Sequence, residues 1–151
     1  MPDKKTVNKA RELKKEGKSP STQAGEFIRE EIDKIRQGEH GARSTEQAIA
    51  IGLSEARRAG VDLPAPKKGK YSDEVREKAQ HDLKKGRENP DAKPSTTRSK
   101  ATAKALQKEG KDAVSEASLS KHAKAAAASR TAEERSTSAK KAAETREKNR
   151  T

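Results

Sequence analysis

Residues 19–63 read SPSTQAGEFIREEIDKIRQGEHGARSTEQAIAIGLSEARRAGVDL and hold all five isoleucines and the one phenylalanine of the chain. From Ala24 to Ile35, apolar residues recur at intervals of three and four, which is the spacing of one face of an α-helix. Ser19 supplies a cap ahead of this run, and Gly38 ends it. The pattern therefore predicts an amphipathic helix.

A second helix is predicted after a short turn, GEHG, whose glycines Gly38 and Gly41 are free to take positive φ angles. Ser44 and Gln47 have the spacing of a capping box, in which each residue caps the start of the same helix. The helix then runs to Gly60, where a glycine followed by valine is typical of a Schellman ending.

The two helices together predict an antiparallel helical hairpin over residues 22–63. Its apolar face is small for a monomer, because domains of this size are marginally stable alone. We therefore expect the hairpin to self-associate, with a homodimer as the simplest outcome. The residues predicted for the hairpin core and the self-association face are Phe27, Ile28, Ile32, Ile35, Ile49, Ile51 and Leu53.

The segments on either side of the hairpin complete an all-α fold in this prediction. Residues 1–21 are predicted to form a basic helix and a break, and residues 64–71 a linker of proline and lysine. Residues 72–151 begin with a short helix capped by Ser72 and continue as a basic, low-complexity tail. Because isolated helices rich in Ala and Lys are marginal in water, we expect nascent helices and partial disorder in this tail.

Charge is distributed unevenly along the 151 residues, which carry 36 Lys and Arg against 24 Asp and Glu. Residues 1–63 hold 13 basic and 11 acidic side chains, a net charge of +2, whereas residues 64–151 hold 23 and 13, a net charge of +10. An excess of this kind attracts polyanions and says nothing about fold. Nucleic acid is therefore the expected partner, and DNA is expected over RNA.

Basic residues in the linker have no evident structural task. Contact with phosphate is therefore the role expected of them and of the basic residues in the tail. Arg57 and Arg58 are open to two interpretations, since cations at the end of a helix also stabilise its dipole. Tyr71 is the one aromatic residue outside the hairpin, which disfavours recognition of single strands by stacking. The residues predicted to contact phosphates are Arg43, Arg57, Arg58, Lys67, Lys68, Lys70, Lys84, Lys85, Lys140 and Lys141.

Signs of catalytic or metal chemistry are weak. The chain has no cysteine, and His40, His81 and His122 lie in separate segments, so we interpret them as surface histidines. Glu30 and Glu31 are interpreted as a solvated helix face rather than an acid–base pair. We therefore expect no enzyme activity, no metal, no cofactor and no small-molecule substrate. No run approaches the ~20 apolar residues of a membrane span, so no membrane association is expected.

Two stretches, from Ser19 to Ile32 and from His40 to Val61, resemble a family of small basic bacterial proteins that carry a domain of unknown function. The resemblance covers roughly residues 1–70, and the tail is similar in composition. Members of the family are often labelled DNA-binding or plasmid stabilisation protein. The resemblance implies a bacterial, cytoplasmic protein at the nucleoid and implies no catalytic residue.

The sequence thus favours sequence-independent binding of nucleic acid, of a nucleoid-associated or plasmid-maintenance type. Two alternatives remain open. A hydrophilic, disordered, stress-protective protein would share the low hydrophobicity and the scarcity of aromatic residues. A helical protein-interaction module would use the apolar face of the hairpin to bind another protein.

Overall fold

The computed structural model describes residues 1–150, which form seven α-helices and no strand. The predicted all-α class is therefore confirmed. The helices are α1 (Lys4–Lys15), α2 (Pro20–Gln37), α3 (Thr45–Arg58), α4 (Asp73–Glu88), α5 (Thr96–Leu106), α6 (Glu116–Ala128) and α7 (Ala132–Lys148), with a 3₁₀ turn at Asp112–Val114.

Two compact units divide the chain, and the boundary falls between Ser115 and Glu116. The first unit contains α1 to α5, and the second contains α6 and α7. Every residue of α7 is exposed, and α6 is exposed except for a half-buried stripe at Ser118, Leu119 and His122. Helices thus occupy much of the predicted tail, whose partial disorder stays a prediction.

The end of α3 follows the signal of the sequence, but the capping box predicted at its start is only half formed, because the Gln47 Oε1 accepts from the Arg43 N–H at 2.7 Å. The Ser44 hydroxyl accepts a hydrogen bond from the Gln47 backbone N–H at 3.1 Å, as a capping serine should. At the other end, Gly60 has a φ of 95°, and the Val61 N–H donates to the Ala56 carbonyl at 3.0 Å. These are the features of a Schellman ending, so that prediction is confirmed.

Helix α2 packs against both α1 and α3. Phe27, near the start of α2, is fully buried in a cluster with Ala10, Ala24, Ala56 and Val61. The start of α2 therefore lies against the end of α3. Four of the five residues of this cluster are small or β-branched, which lets the helix axes approach one another closely.

A second cluster lies toward the end of α2, where Ile35 packs with Ala42, Ala48 and Val114. Val114 comes from the part of the chain predicted as tail, so its place in the core is not predictable from the sequence. Of the seven predicted core residues, Phe27 and Ile35 are buried. The other five are half-buried: Ile28, Ile32, Ile49, Ile51 and Leu53.

Backbone from the predicted tail also covers the loop between α2 and α3. The Ala42 N–H donates to the Gly110 carbonyl at 3.0 Å. A Cβ at Gly41 would lie 2.0 Å from the Glu109 carbonyl oxygen, so glycine is required there by close approach. The predicted positive φ is found at Gly38 (86°). Gly41 does not have one, so the prediction is wrong for that residue. The first compact unit therefore continues well past the proline–lysine linker.

Candidate nucleic-acid interface

Residues 67–71, which we call the lysine turn, bring three of the predicted phosphate contacts together. The Lys70 N–H donates to the Lys67 carbonyl at 3.2 Å, and Gly69 has a φ of 87°. A β-turn with a positive φ at its third residue is of type II, a position that glycine occupies without strain. Lys67, Lys68 and Lys70 are all exposed around this turn.

Arg57 holds the chain where it leaves α3 for the linker. Its guanidinium donates to the Leu63 carbonyl at 3.1 Å and to the Pro64 carbonyl at 3.2 Å. The residue is only 6% exposed, and burial lowers the pKa of Arg57, an effect that the negative charge of Asp82 opposes. These hydrogen bonds to backbone carbonyls give Arg57 a structural role, and its guanidinium is not free to contact a phosphate.

Arg58 joins α3 to α4. Its Nε donates to Oδ1 of Asp82 at 2.8 Å, and Asp82 is buried although the Arg58 side chain is half-exposed. Close to this pair, a Cβ at Gly86 would lie 1.8 Å from the Arg57 carbonyl oxygen, so the two helices touch through backbone. The charge of Arg58 is therefore largely compensated by Asp82 before any phosphate approaches.

The remaining predicted contacts are exposed but dispersed. Arg43 precedes α3, Lys84 forms an ion pair with Glu88 at 3.8 Å, and Lys85 is exposed on α4. Lys140 and Lys141 are exposed on α7, in the second compact unit. The lysine turn is thus the one place in the described chain where several of the predicted cations meet.

The paired glutamates on α2 do not form a solvated face, and that interpretation is wrong. Glu31 is 1% exposed. The Glu30 carboxylate forms an ion pair with Lys34 and accepts a hydrogen bond from the Asp3 N–H at 3.0 Å. The burial of Glu30 is hard to predict from the sequence, because the segment that covers it comes from the N-terminus of the chain, 27 residues away.

Glu31 belongs to a buried polar cluster between α2 and α3. Its Oε1 lies 3.3 Å from Nε2 of His40, a residue whose side chain is only 16% exposed, so the surface interpretation of His40 is wrong. Burial raises the pKa of Glu31, an effect that His40 opposes and that Glu55 reinforces. Burial likewise raises the pKa of Glu55, whose carboxylate lies 3.8 Å from the N-terminal amine.

The pKa of Glu30 is lowered, in spite of the burial that works in the opposite direction. The hydrogen bonds from Lys34, Thr6 and Asp3 and the charge of Lys34 together outweigh the cost of burial. Within residues 1–150, no group of three or more His, Cys, Asp or Glu residues is arranged to hold a metal ion. The cluster links α2, α3 and the N-terminal segment through charge.

In residues 1–150, no helix has both the length and the apolar character needed to cross a bilayer. No curated protein and no solved structure matches the chain. A match is found to the model of a family of unknown function, DUF6496, at residues 15–68. This range contains α2, α3 and part of the lysine turn, and the chain thus carries a DUF6496 domain, a domain of unknown function.

Proposed function

We propose that this protein binds nucleic acid, DNA more than RNA, through phosphate contacts that do not depend on base sequence. The observation that carries the proposal is the lysine turn. Lys67, Lys68 and Lys70 are exposed within four residues of chain, and none of the three forms an ion pair with the described residues. Uncompensated cations of this kind release counterions from a nucleic acid when they contact its phosphates.

The charge of the wider molecule supports the same proposal. Residues 64–115 carry 14 basic and 8 acidic side chains, a net charge of +6, and residues 116–150 carry 9 and 5, a net charge of +4. Both parts therefore present a positive field to a polyanion. The exposed Arg43, Lys85, Lys140 and Lys141 are the further phosphate contacts in this proposal, with Arg58 and Lys84 contributing less because each has a carboxylate partner.

The biological role that we propose is that of a nucleoid-associated or plasmid-maintenance protein in the bacterial cytoplasm. It rests on the resemblance of residues 1–70 to proteins with those labels, and DUF6496 itself carries no assigned function. Association into a homodimer through the half-buried Ile28, Ile49 and Ile51 belongs to the same proposal, since it would double the number of cations presented to one duplex.

A salt titration tests the proposal and the site together. Binding to random duplex DNA is measured at about 50 mM and about 200 mM salt for the full chain and for a triple variant, Lys67→Gln, Lys68→Gln and Lys70→Gln. We expect affinity to fall with salt, and the logarithmic slope of the triple variant to be smaller by about one for each lysine that contacts a phosphate.

The matched control carries Lys4→Gln, Lys5→Gln and Lys14→Gln, which remove the same charge from exposed positions of α1. A smaller loss in the control places the contact at the lysine turn, whereas equal losses mean that total charge, and not this turn, governs binding. A wild-type chain that ignores DNA at low salt contradicts the proposed function. That result would favour the stress-protective alternative.

A further inference from the structure

Tyr71 ends the lysine turn and is unusually exposed for an aromatic residue. The residue is 56% exposed, and Val75, on the first turn of α4, is 48% exposed. Aromatic side chains normally contribute to a fold by burying a large apolar area. Tyr71 makes little such contribution, so its ring is available to a ligand.

The position of Tyr71 is fixed from both sides. Its backbone pairs with that of Lys68 in an isolated bridge. On the other side, the hydroxyl of Ser72 caps α4 by accepting from the Val75 N–H at 3.4 Å. The turn therefore holds the ring at a defined place between three cations and the start of a helix.

The charge around the ring complements a nucleic acid. Nζ of Lys70 lies 5.9 Å from the centroid of the Tyr71 ring, with Lys67 and Lys68 on the same short turn. An aromatic face beside several cations is the combination that binds single strands, because every base has a π-face and every nucleotide has a phosphate. In a duplex the base faces are covered by their neighbours, so the ring has nothing to stack on.

We propose that the lysine turn binds single-stranded nucleic acid, with Tyr71 stacked on one unpaired base and Lys67, Lys68 and Lys70 on the adjacent phosphates. This inference rests on the proposed function and names its substrate. It departs from the expectation that one aromatic residue outside the hairpin is too few for single strands to be recognised by stacking. A single platform is enough for one base, and the contact is tolerant of sequence because stacking does not read base edges.

The chain offers a direct probe of this contact, since it contains one tyrosine and no tryptophan. Its intrinsic fluorescence on excitation of tyrosine therefore reports Tyr71 alone. We expect this emission to be quenched by a mixed-sequence single strand of about 15 nucleotides, a length within the known range of site sizes. Long random duplex DNA, in which strand ends are rare, should bind with little quenching.

Variants separate stacking from charge. Tyr71→Ala should weaken binding of the single strand about fivefold, the lower end of what stacking on one base contributes, and should leave duplex binding unchanged. Tyr71→Phe should retain the affinity, because it keeps the ring. Val75→Ala is the matched control for loss of an exposed apolar side chain at the same helix end and should change neither affinity.

Failure of the proposed function and failure of the stacking inference give different results. If the wild-type chain binds neither strand form at low salt, the proposed function itself is contradicted. If it binds both forms, but Tyr71→Ala has equal effects on the two or none, only the stacking inference is overturned. Fluorescence of the wild type that does not change on binding the single strand overturns it as well.

Discussion

Glu31 and Glu30 are neighbours in the sequence and have opposite pKa shifts, because one faces the buried cluster and the other a lysine. Burial raises the pKa of Glu31 above its ordinary value of 4.5. The folded state therefore binds this proton more tightly than the unfolded state does. The resulting stabilisation is fully present below the ordinary pKa and is lost as the pH rises through the raised pKa. Where the pH lies above the raised pKa, the ionised carboxylate of Glu31 opposes folding.

Replacing Glu31 by glutamine removes this charge while keeping the shape of the side chain. We expect Glu31→Gln to change the melting temperature little at about pH 4, where wild-type Glu31 is protonated, and to raise it relative to wild type once the pH exceeds the raised pKa of Glu31. Thermal unfolding followed by circular dichroism over this pH range measures the difference. Glu39→Gln, at an exposed position close to the end of α2, is the control and should stay within about 0.5 kcal/mol of wild type.

A variant that is less stable than wild type at neutral pH would contradict this argument. It would mean that the contact of Glu31 with His40, at 3.3 Å, stabilises the fold by more than burial of the charge costs. The lowered pKa of Glu30 acts in the opposite direction, because its contribution to stability is lost as the pH falls through that lowered value.

At the scale of elements, α3 and α4 are joined by a contact that depends on glycine. Gly86 lies within α4, where alanine is intrinsically more favourable by about 1 kcal/mol. Its Cβ would nevertheless lie 1.8 Å from the Arg57 carbonyl oxygen. We expect Gly86→Ala to lower the free energy of unfolding by several kcal/mol, about what overpacking and the loss of the buried Asp82 contact cost together. Denaturant unfolding measures it.

Gly25 provides the matched control, since it lies within α2 and a Cβ added there would meet nothing within 4 Å. Gly25→Ala should therefore stabilise the protein by roughly 0.5–1 kcal/mol through helix propensity alone. If both substitutions stabilise the protein, α4 does not dock on α3 through Gly86, and the described contact is wrong.

The sequence predicts such elements well where the signal is local. A serine before an apolar run predicts the start of α3, and a glycine followed by valine predicts its end, because the capping partners lie within five residues. The close approaches at Gly41 and Gly86 were not predictable, since glycine gives no indication of which distant backbone it meets. The candidate site residues differ in predictability for the same reason. The lysine turn is a local feature and can be predicted, whereas the burial of Arg57 cannot, because it depends on the chain folding back over it.

At the scale of the whole molecule, the first compact unit contains both the DUF6496 domain and a segment far outside it. Val114 packs with Ile35, Ala42 and Ala48, although the family match ends at residue 68. A small helical domain with a largely alanine core gains much from one more buried aliphatic side chain. The part of the chain that follows the linker therefore supports the fold as well as supplying charge.

A chain that ends at Ser115 should accordingly keep the melting temperature of the full chain, because α6 and α7 form a compact unit of their own. Val114→Ala in that shorter chain should cost roughly 1–2 kcal/mol, the expected value for two buried methyl groups and the cavity that they leave.

The shorter chain loses a net charge of +4, so its binding to duplex DNA should weaken and depend less on salt. It keeps the lysine turn, so the difference between the wild-type sequence and the triple lysine variant should persist. A shorter chain in which that difference disappears would place the main phosphate contacts in α6 and α7.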